Sequence, residues 1–270
     1  MANILVVDQF ALMGGAQRIL LDLAEGLGKA GHRVTALFPS PGPIREELNR
    51  LGVETGDYYL LPMTSGKKSL SEQARYFATI PKTTKSILAA ARKQRYDLLY
   101  INGPRAALPA VNAARSAGLP AVIAVHLIHR GRALRLLAKC AMRSEVKLVT
   151  FCSSHAAAPL KGIGEKGKIL PNWVSPRFLE APRMRDAART NLNIGNDEIA
   201  VGVLGRVSKT KGQRLLIEAA LPILDADPSV RLLFAGGADF EDPEEERNLK
   251  AEYAPRGRRI LFADKTDPVE

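Results

Sequence analysis

Short apolar runs alternate with helical segments along the whole of this chain, and that alternation leaves few folds open. Asn3–Asp8, Arg33–Phe38 and residues 97–102, 121–126 and 147–153 each read as a strand, and a further short one is expected to begin at 168–170. Between them, Gly15–Lys29 and residues 43–51, 69–95 and 106–117 carry apolar side chains at helical spacing. Pro81 is expected to break or kink the longest of these. Strands separated in this way by helices predict parallel sheets with helices on both faces, an α/β fold.

The alternation pauses once. A Pro-containing stretch, 176–182, leads to a helical segment at Arg185–Asn191. This predicts a first domain over residues 1–175, a linker over 176–195 and a second α/β domain over 196–270. The second domain has strands at Ile199–Leu204, Val230–Ala235 and 259–262, with helices at 212–224 and within Pro243–Tyr253. Three strands make a thin sheet, so this domain is expected to be incomplete. The acidic stretch 241–246 reads as a solvated helix start.

Within the second domain, the apolar run Ile199–Leu204, read as a buried strand, enters Gly205-Arg206-Val207-Ser208-Lys209-Thr210-Lys211-Gly212 and then a helix. Such a turn gathers backbone N–H groups, a helix N-terminus and fixed cations, which suits a phosphate. Arg206 offers a two-pronged fork and Lys211 a mobile point charge. A solvated basic turn is the plain alternative, but open α/β sheets bind ligands at the carboxyl ends of their strands. Gly14-Gly15, between the first strand and its helix, is either a tight turn or a phosphate contact. No Gly-x-Gly-x-x-Gly follows that strand, so the dinucleotide fingerprint fails. Gln17 and Arg18, one turn further on, read as helix surface.

His126 ends the strand 121–125; a lone histidine is usually a structural residue, and its place at a strand's carboxyl end shifts that balance toward function. His129 follows three residues later without a third ligand, and zinc is rejected. Asp8, ending the first strand, serves either a ligand or a loop cap. No nucleophile elbow or serine–histidine–acid set is present.

Charge narrows the partners. Residues 1–150 hold 21 Lys and Arg against 10 Asp and Glu, so the whole net charge of +11 lies there. In the stretch 127–147, Arg132, Arg135, Lys139 and Arg143 fall on one helical stripe and Leu134, Leu137, Ala138 and Ala141 on the other side. That pattern fits an anionic membrane surface, or an ordinary helix packed on the sheet, or both. Lys67, Lys68, Lys82, Lys85, Arg92, Lys93 and Arg95 add to the positive surface. Nucleic acid is not expected, because aromatics are 6% of the chain and no binding motif interleaves the charges. No apolar run reaches the length of a membrane span. A strand beginning within three residues leaves no room for a signal peptide, and two cysteines, Cys140 and Cys152, fit a reducing compartment. The expectation is a cytoplasmic protein, with a peripheral position at the inner membrane face if the cations bind lipid.

Three segments together resemble one family. Residues 205–212 resemble the Gly-Arg…Lys-Gly signature that opens the C-terminal domain of family-4 glycosyltransferases, retaining enzymes of the GT-B fold. Gly14-Gly15-Ala16-Gln17-Arg18, after Ile4-Leu5-Val6-Val7, is similar to the family's N-terminal Gly-Gly loop. Leu170-Pro171-Asn172-Trp173-Val174 is similar to the Pro-Asn-Gly-Val segment ending the first domain, with Trp173 where glycine is usual. The resemblance implies two Rossmann-like domains, and transfer of a sugar from a nucleotide-diphospho-sugar to an acceptor hydroxyl with retention. It implies that Arg206, Lys211, Gly14 and Gly15 hold the donor diphosphate and that His126 touches the sugar or acceptor as the catalytic position. No cofactor or metal is then required, two cations standing in for Mg²⁺. The basic first domain suggests a glycan or lipid-linked acceptor in cell-envelope synthesis. The family's Glu-x7-Glu sugar-binding motif has no counterpart in a suitable loop, and family members continue for several more βα units. The alternative function is therefore a non-catalytic nucleotide- or membrane-binding module derived from such an enzyme.

Overall fold

The computed structural model describes residues 1–62, 69–175, 178–179, 184–237 and 243–263. Lys67 and Lys68, part of the stretch 176–183 and the start of the acidic stretch lie outside them. The chain forms two compact units, Met1–Val174 and Ser175–Glu270.

The first unit is a seven-stranded parallel sheet with strand order β3-β2-β1-β4-β5-β6-β7. Its strands are β1 (Asn3–Asp8), β2 (Arg33–Phe38), β3 (Glu54–Asp57), β4 (Leu98–Asn102), β5 (Ala121–Val125), β6 (Val146–Phe151) and β7 (Gly167–Ile169). The helices are α1 (Gly15–Lys29), α2 (Pro43–Arg50), α3 (Leu70–Ala91), α4 (Ala107–Ala117), α5 (Gly131–Ala141) and the single turn α6 (Ser154–Ala157). Successive strand residues point to opposite faces, so each apolar run feeds two cores. Ile4 and Val6 join Leu20, Ala24, Ile44 and Leu48 of α1 and α2 on one face. Leu5 and Val7 join Ile87, Val111, Leu137 and Cys140 of α3, α4 and α5 on the other. Between α1 and the sheet, a cavity of about 250 Å³ lies among Leu23, Leu27, Leu98, Tyr100, Val122 and Leu148.

Several local expectations are revised. β3 has the sequence Glu-Thr-Gly-Asp, and with no apolar run it is recognisable only from its pairing with β2 at the sheet edge. α3 runs through Pro81 as one helix. Pro81 is exposed while Tyr76, Thr83, Ile87, Ala90 and Ala91 are buried, so tertiary packing on either side outweighs the proline. A capping box closes its start, Ser69 Oγ accepting from Glu72 N and the Glu72 carboxylate from Ser69 N. α5 is shorter than the 127–147 stretch, because Gly131 has a φ of 60° at its start and β6 begins at Val146.

The second unit is a three-stranded parallel sheet, β10-β9-β8, of β8 (Ile199–Leu204), β9 (Val230–Ala235) and β10 (Ile260–Ala263). Its helices are α7 (Arg185–Asn191), α8 (Gln213–Ala226) and α9 (Pro243–Tyr253). Ile217, Leu224, Leu232, Phe234 and Leu249 form its core. β8 is not the buried strand expected from its sequence. It is the sheet edge, and Ile199, Val201 and Leu204 are 54%, 42% and 78% exposed. Glu245 and Glu246 are likewise not solvated: both are buried, Glu245 3.4 Å from Arg214 and Glu246 2.7 Å from Lys250. α7 is tied to this unit. Arg189 donates to Glu198 O at 2.6 Å, and the Glu198 carboxylate pairs with Arg231 and Arg258.

Candidate functional site

The strand order of the first sheet reverses between β1 and β4, which is where open α/β sheets leave a crevice at their carboxyl ends. Asp8 and Asn102 end these two strands and are register partners. Asp8 is fully buried and accepts from Phe10 N at 2.9 Å, from Gln17 Nε2 at 3.0 Å and from Asn102 Nδ2 at 2.6 Å. Tyr58 also donates its hydroxyl to Asp8 O at 2.9 Å. Burial is the main cause that pushes the Asp8 carboxyl up to about 6, against the hydrogen bonds that lower it. His126 directly follows β5, and its Nε2 lies 2.7 Å from Asn102 Oδ1. Burial pushes its imidazole below the usual histidine range.

Gln17 is thus a buried ligand of Asp8 rather than helix surface, because its α1 position faces the end of β1. Asn102, Gln17 and Tyr58 escaped the sequence reading. The signal was modest: the apolar runs of β1 and β4 each end in a side chain able to make several hydrogen bonds, Asp and Asn.

Gly14 is the N-cap of α1 and Gly15 its first residue. A Cβ at Gly14 would stand 2.9 Å from Gln17 Oε1, so the Gln17 amide would have to shift to admit one. Nothing lies within 4 Å of a Cβ built at Gly15. α1 has no side-chain cap and no acidic residue in its first turn, which keeps its N-terminal field positive. The loop before it is braced from α2, where a Cβ on Gly42 would meet Ala11 O at 2.3 Å.

In the second unit the basic turn is built by its own side chains. Gln213, 1% exposed, donates Nε2 to Arg206 O at 3.0 Å and accepts from Ser208 N at 3.4 Å. Val207 is buried and its N–H bonds Gly237 O at 2.8 Å. Gly236 has a φ of 141°, and a Cβ there would meet Gly205 O at 2.5 Å, so the loop ends of β8 and β9 close on each other. Gly212, with a φ of 75°, caps α8 in the left-handed region. Arg206 and Lys211 are exposed at the carboxyl end of β8.

On α5, Leu137 and Ala141 are buried while Arg132, Arg135 and Lys139 are exposed. Arg132 donates to Gln73 Oε1 at 2.7 Å. Arg143 stands past the helix end, half-buried, and bonds Glu145 at 3.5 Å and Asn112 at 3.4 Å. Among the described residues no three His, Cys, Asp or Glu are grouped to hold a metal, and no helix is long and apolar enough to cross a membrane.

The glycosyl transferase 4-like domain family matches residues 14–179, more than half of the chain. The UDP-N-acetylglucosamine–N-acetylmuramyl-(pentapeptide) pyrophosphoryl-undecaprenol N-acetylglucosamine transferase of Carboxydothermus hydrogenoformans is 26% identical over 210 residues, 77% of this chain and 53% of that protein. The chain therefore spans about half the length of this relative. The structure of Anabaena HepE with UDP-glucose matches with a TM-score of 0.79 at 22% identity, over 98% of this chain and 70% of that one. A glycosyltransferase from Rickettsia africae matches with a TM-score of 0.74 at 16% identity, over 99% and 69%. The two parallel sheets and these structural matches give the GT-B fold. The chain belongs to the glycosyl transferase 4-like family.

Proposed function

We propose that this chain serves transfer of a sugar from a nucleotide-diphospho-sugar to an acceptor hydroxyl, with retention at the anomeric carbon. The observation that carries this is the turn after β8. Three exposed cations, Arg206, Lys209 and Lys211, and the start of α8 stand on a loop whose backbone is fixed by Gln213, Gly205 and Gly236. Arg206 and Lys211 hold the donor diphosphate and stabilise the negative charge that builds on the leaving phosphate, the task a metal performs elsewhere. The N-terminus of α1, with open space above Gly15, offers further N–H groups to an anionic or polar part of the substrates.

In the transfer, the bond between the anomeric carbon and the diphosphate oxygen breaks with its electron pair leaving on the phosphate. The acceptor oxygen bonds that carbon from the same face and its proton passes to the departing phosphate oxygen. His126 orients the sugar or the acceptor. The exposed Arg132, Arg135 and Lys139, on a first unit carrying the charge excess, fit a lipid-linked acceptor at an anionic membrane.

Calorimetry with UDP, GDP, ADP and NAD, together with a turnover assay on UDP- and GDP-sugars, tests the reading. Binding of a uridine or guanosine diphosphate with sugar release supports it. Binding without turnover supports a nucleotide-binding module instead, and NAD binding alone would overturn both.

A further inference from the structure

Asp8, Asn102 and His126 form a row at the carboxyl ends of β1, β4 and β5, and the row has a direction. Asp8 faces three N–H donors: Phe10 N, Gln17 Nε2 and, at 2.6 Å, the side chain of Asn102. A carboxylate has no hydrogen to give, so the Asn102 atom beside it is the amide nitrogen. The amide oxygen is thereby turned toward His126, 2.7 Å from Nε2. An amide oxygen only accepts, so Nε2 carries a hydrogen. A neutral imidazole has one such hydrogen, which leaves a lone pair on Nδ1. That Nδ1 is buried and has no hydrogen-bond partner among the described residues.

We propose that Asp8 and Asn102 are positioning residues that fix His126 as its neutral Nε2–H tautomer, so that Nδ1 can only accept, and that its fitting partner is a substrate hydroxyl. The proposal rests on the reading of His126 as the residue that orients the sugar or acceptor. A hydroxyl brings an O–H to the lone pair, whereas a phosphate or carboxylate oxygen would meet it with a second lone pair. Among the described residues nothing donates to Nδ1, so that lone pair is left for a donor from outside the chain. An imidazolium would present two donors and favour an anion, and the burial that lowers the His126 pKa works against that form. His126 is also held through its backbone, where Cys152 Sγ donates to His126 O at 3.4 Å.

The test is nuclear magnetic resonance on the full chain labelled with ¹⁵N-histidine, read by long-range proton–nitrogen correlations at pH 7.5. There are four histidines, and His126 is assigned by the signals lost in His126→Gln. The expected wild-type pattern is a protonated Nε2 and an unprotonated Nδ1. Asn102→Leu is expected to turn that pattern into the averaged signals of two exchanging tautomers, with unchanged signals from the other histidines reporting the fold. A wild-type His126 that is Nδ1–H, averaged or charged would overturn the proposal. So would an Nε2–H pattern that survives Asn102→Leu. Should the tautomer be as expected and no nucleotide sugar bind, the glycosyl-transfer reading fails while the positioning role stands.

Discussion

A buried carboxyl at the end of β1 has a consequence that solution measurements can reach. The Asp8 pKa rises from 3.8 to about 6 on folding. Between those values the folded protein binds the proton more tightly than the unfolded chain, so stability is greatest on the acid side and declines as pH rises toward 6. The shift corresponds to about 3 kcal/mol. Asp8→Asn, which cannot ionise, is expected to remove that decline, measured as the change in urea midpoint between pH 4.5 and 7.5. An undiminished decline would mean that Asp8 is not the group responsible. Gly42→Ala is a second residue-scale case. Its Cβ would lie 2.3 Å from a backbone oxygen of the loop before α1, and a clash with backbone cannot be relieved by a rotamer change. Destabilisation of about 1–3 kcal/mol is expected by thermal unfolding. At this scale the sequence disclosed Asp8 at the end of β1 and His126 just after β5 as polar residues at strand ends. It did not disclose that Gln17, Asn102 and Asp8 share hydrogen bonds, because their contacts join residues up to 94 apart in the chain.

Helix α5 shows how an amphipathic pattern divides between core and surface. Leu137 is 1% exposed in the main core, and Leu137→Ala is expected to cost about 2–5 kcal/mol. Arg135→Ala, on the opposite side, is expected to change stability by less than about 0.5 kcal/mol. If the exposed cations meet lipid, Arg132→Ala/Arg135→Ala/Lys139→Ala should lose sedimentation with anionic vesicles at low salt. Equal sedimentation of wild type and triple variant would remove the membrane role. In the second unit, the Glu198 carboxylate is held down to about 2, first by the Arg231 hydrogen bond and then by Gly195 N. Its contribution is present above about pH 4.5 and lost as pH falls toward 2. Glu198→Gln should therefore make the unit less stable at pH 7 and flatten its acid transition, followed by circular dichroism; an acid transition as steep as the wild type's would discount the ion pairs. Most elements were legible because their apolar residues repeat at the strand or helix period. β3 and the capping of α3 were not, since one lacks apolar residues and the other rests on a Ser69…Glu72 pair outside the apolar pattern. The exposure of β8 was illegible for another reason: an apolar run specifies a strand, not its place in the sheet order.

Each unit of the molecule has its own sheet and its own core. Met1–Val174 produced alone is accordingly expected to unfold in one cooperative transition, and a gradual, non-cooperative loss of signal would contradict that independence. The architecture as a whole was legible, because alternating strands and helices admit little besides parallel sheets and three short motifs stand in one order along the chain. The function proposed here rests on the turn between β8 and α8, so the most direct measurement is the affinity of the chain for UDP before and after Arg206 and Lys211 are replaced. Arg206→Ala/Lys211→Ala is expected to weaken UDP binding about 100-fold, from the loss of two charge-assisted contacts, with the thermal transition unchanged. UDP binding of equal strength in the double variant and the wild type would contradict it.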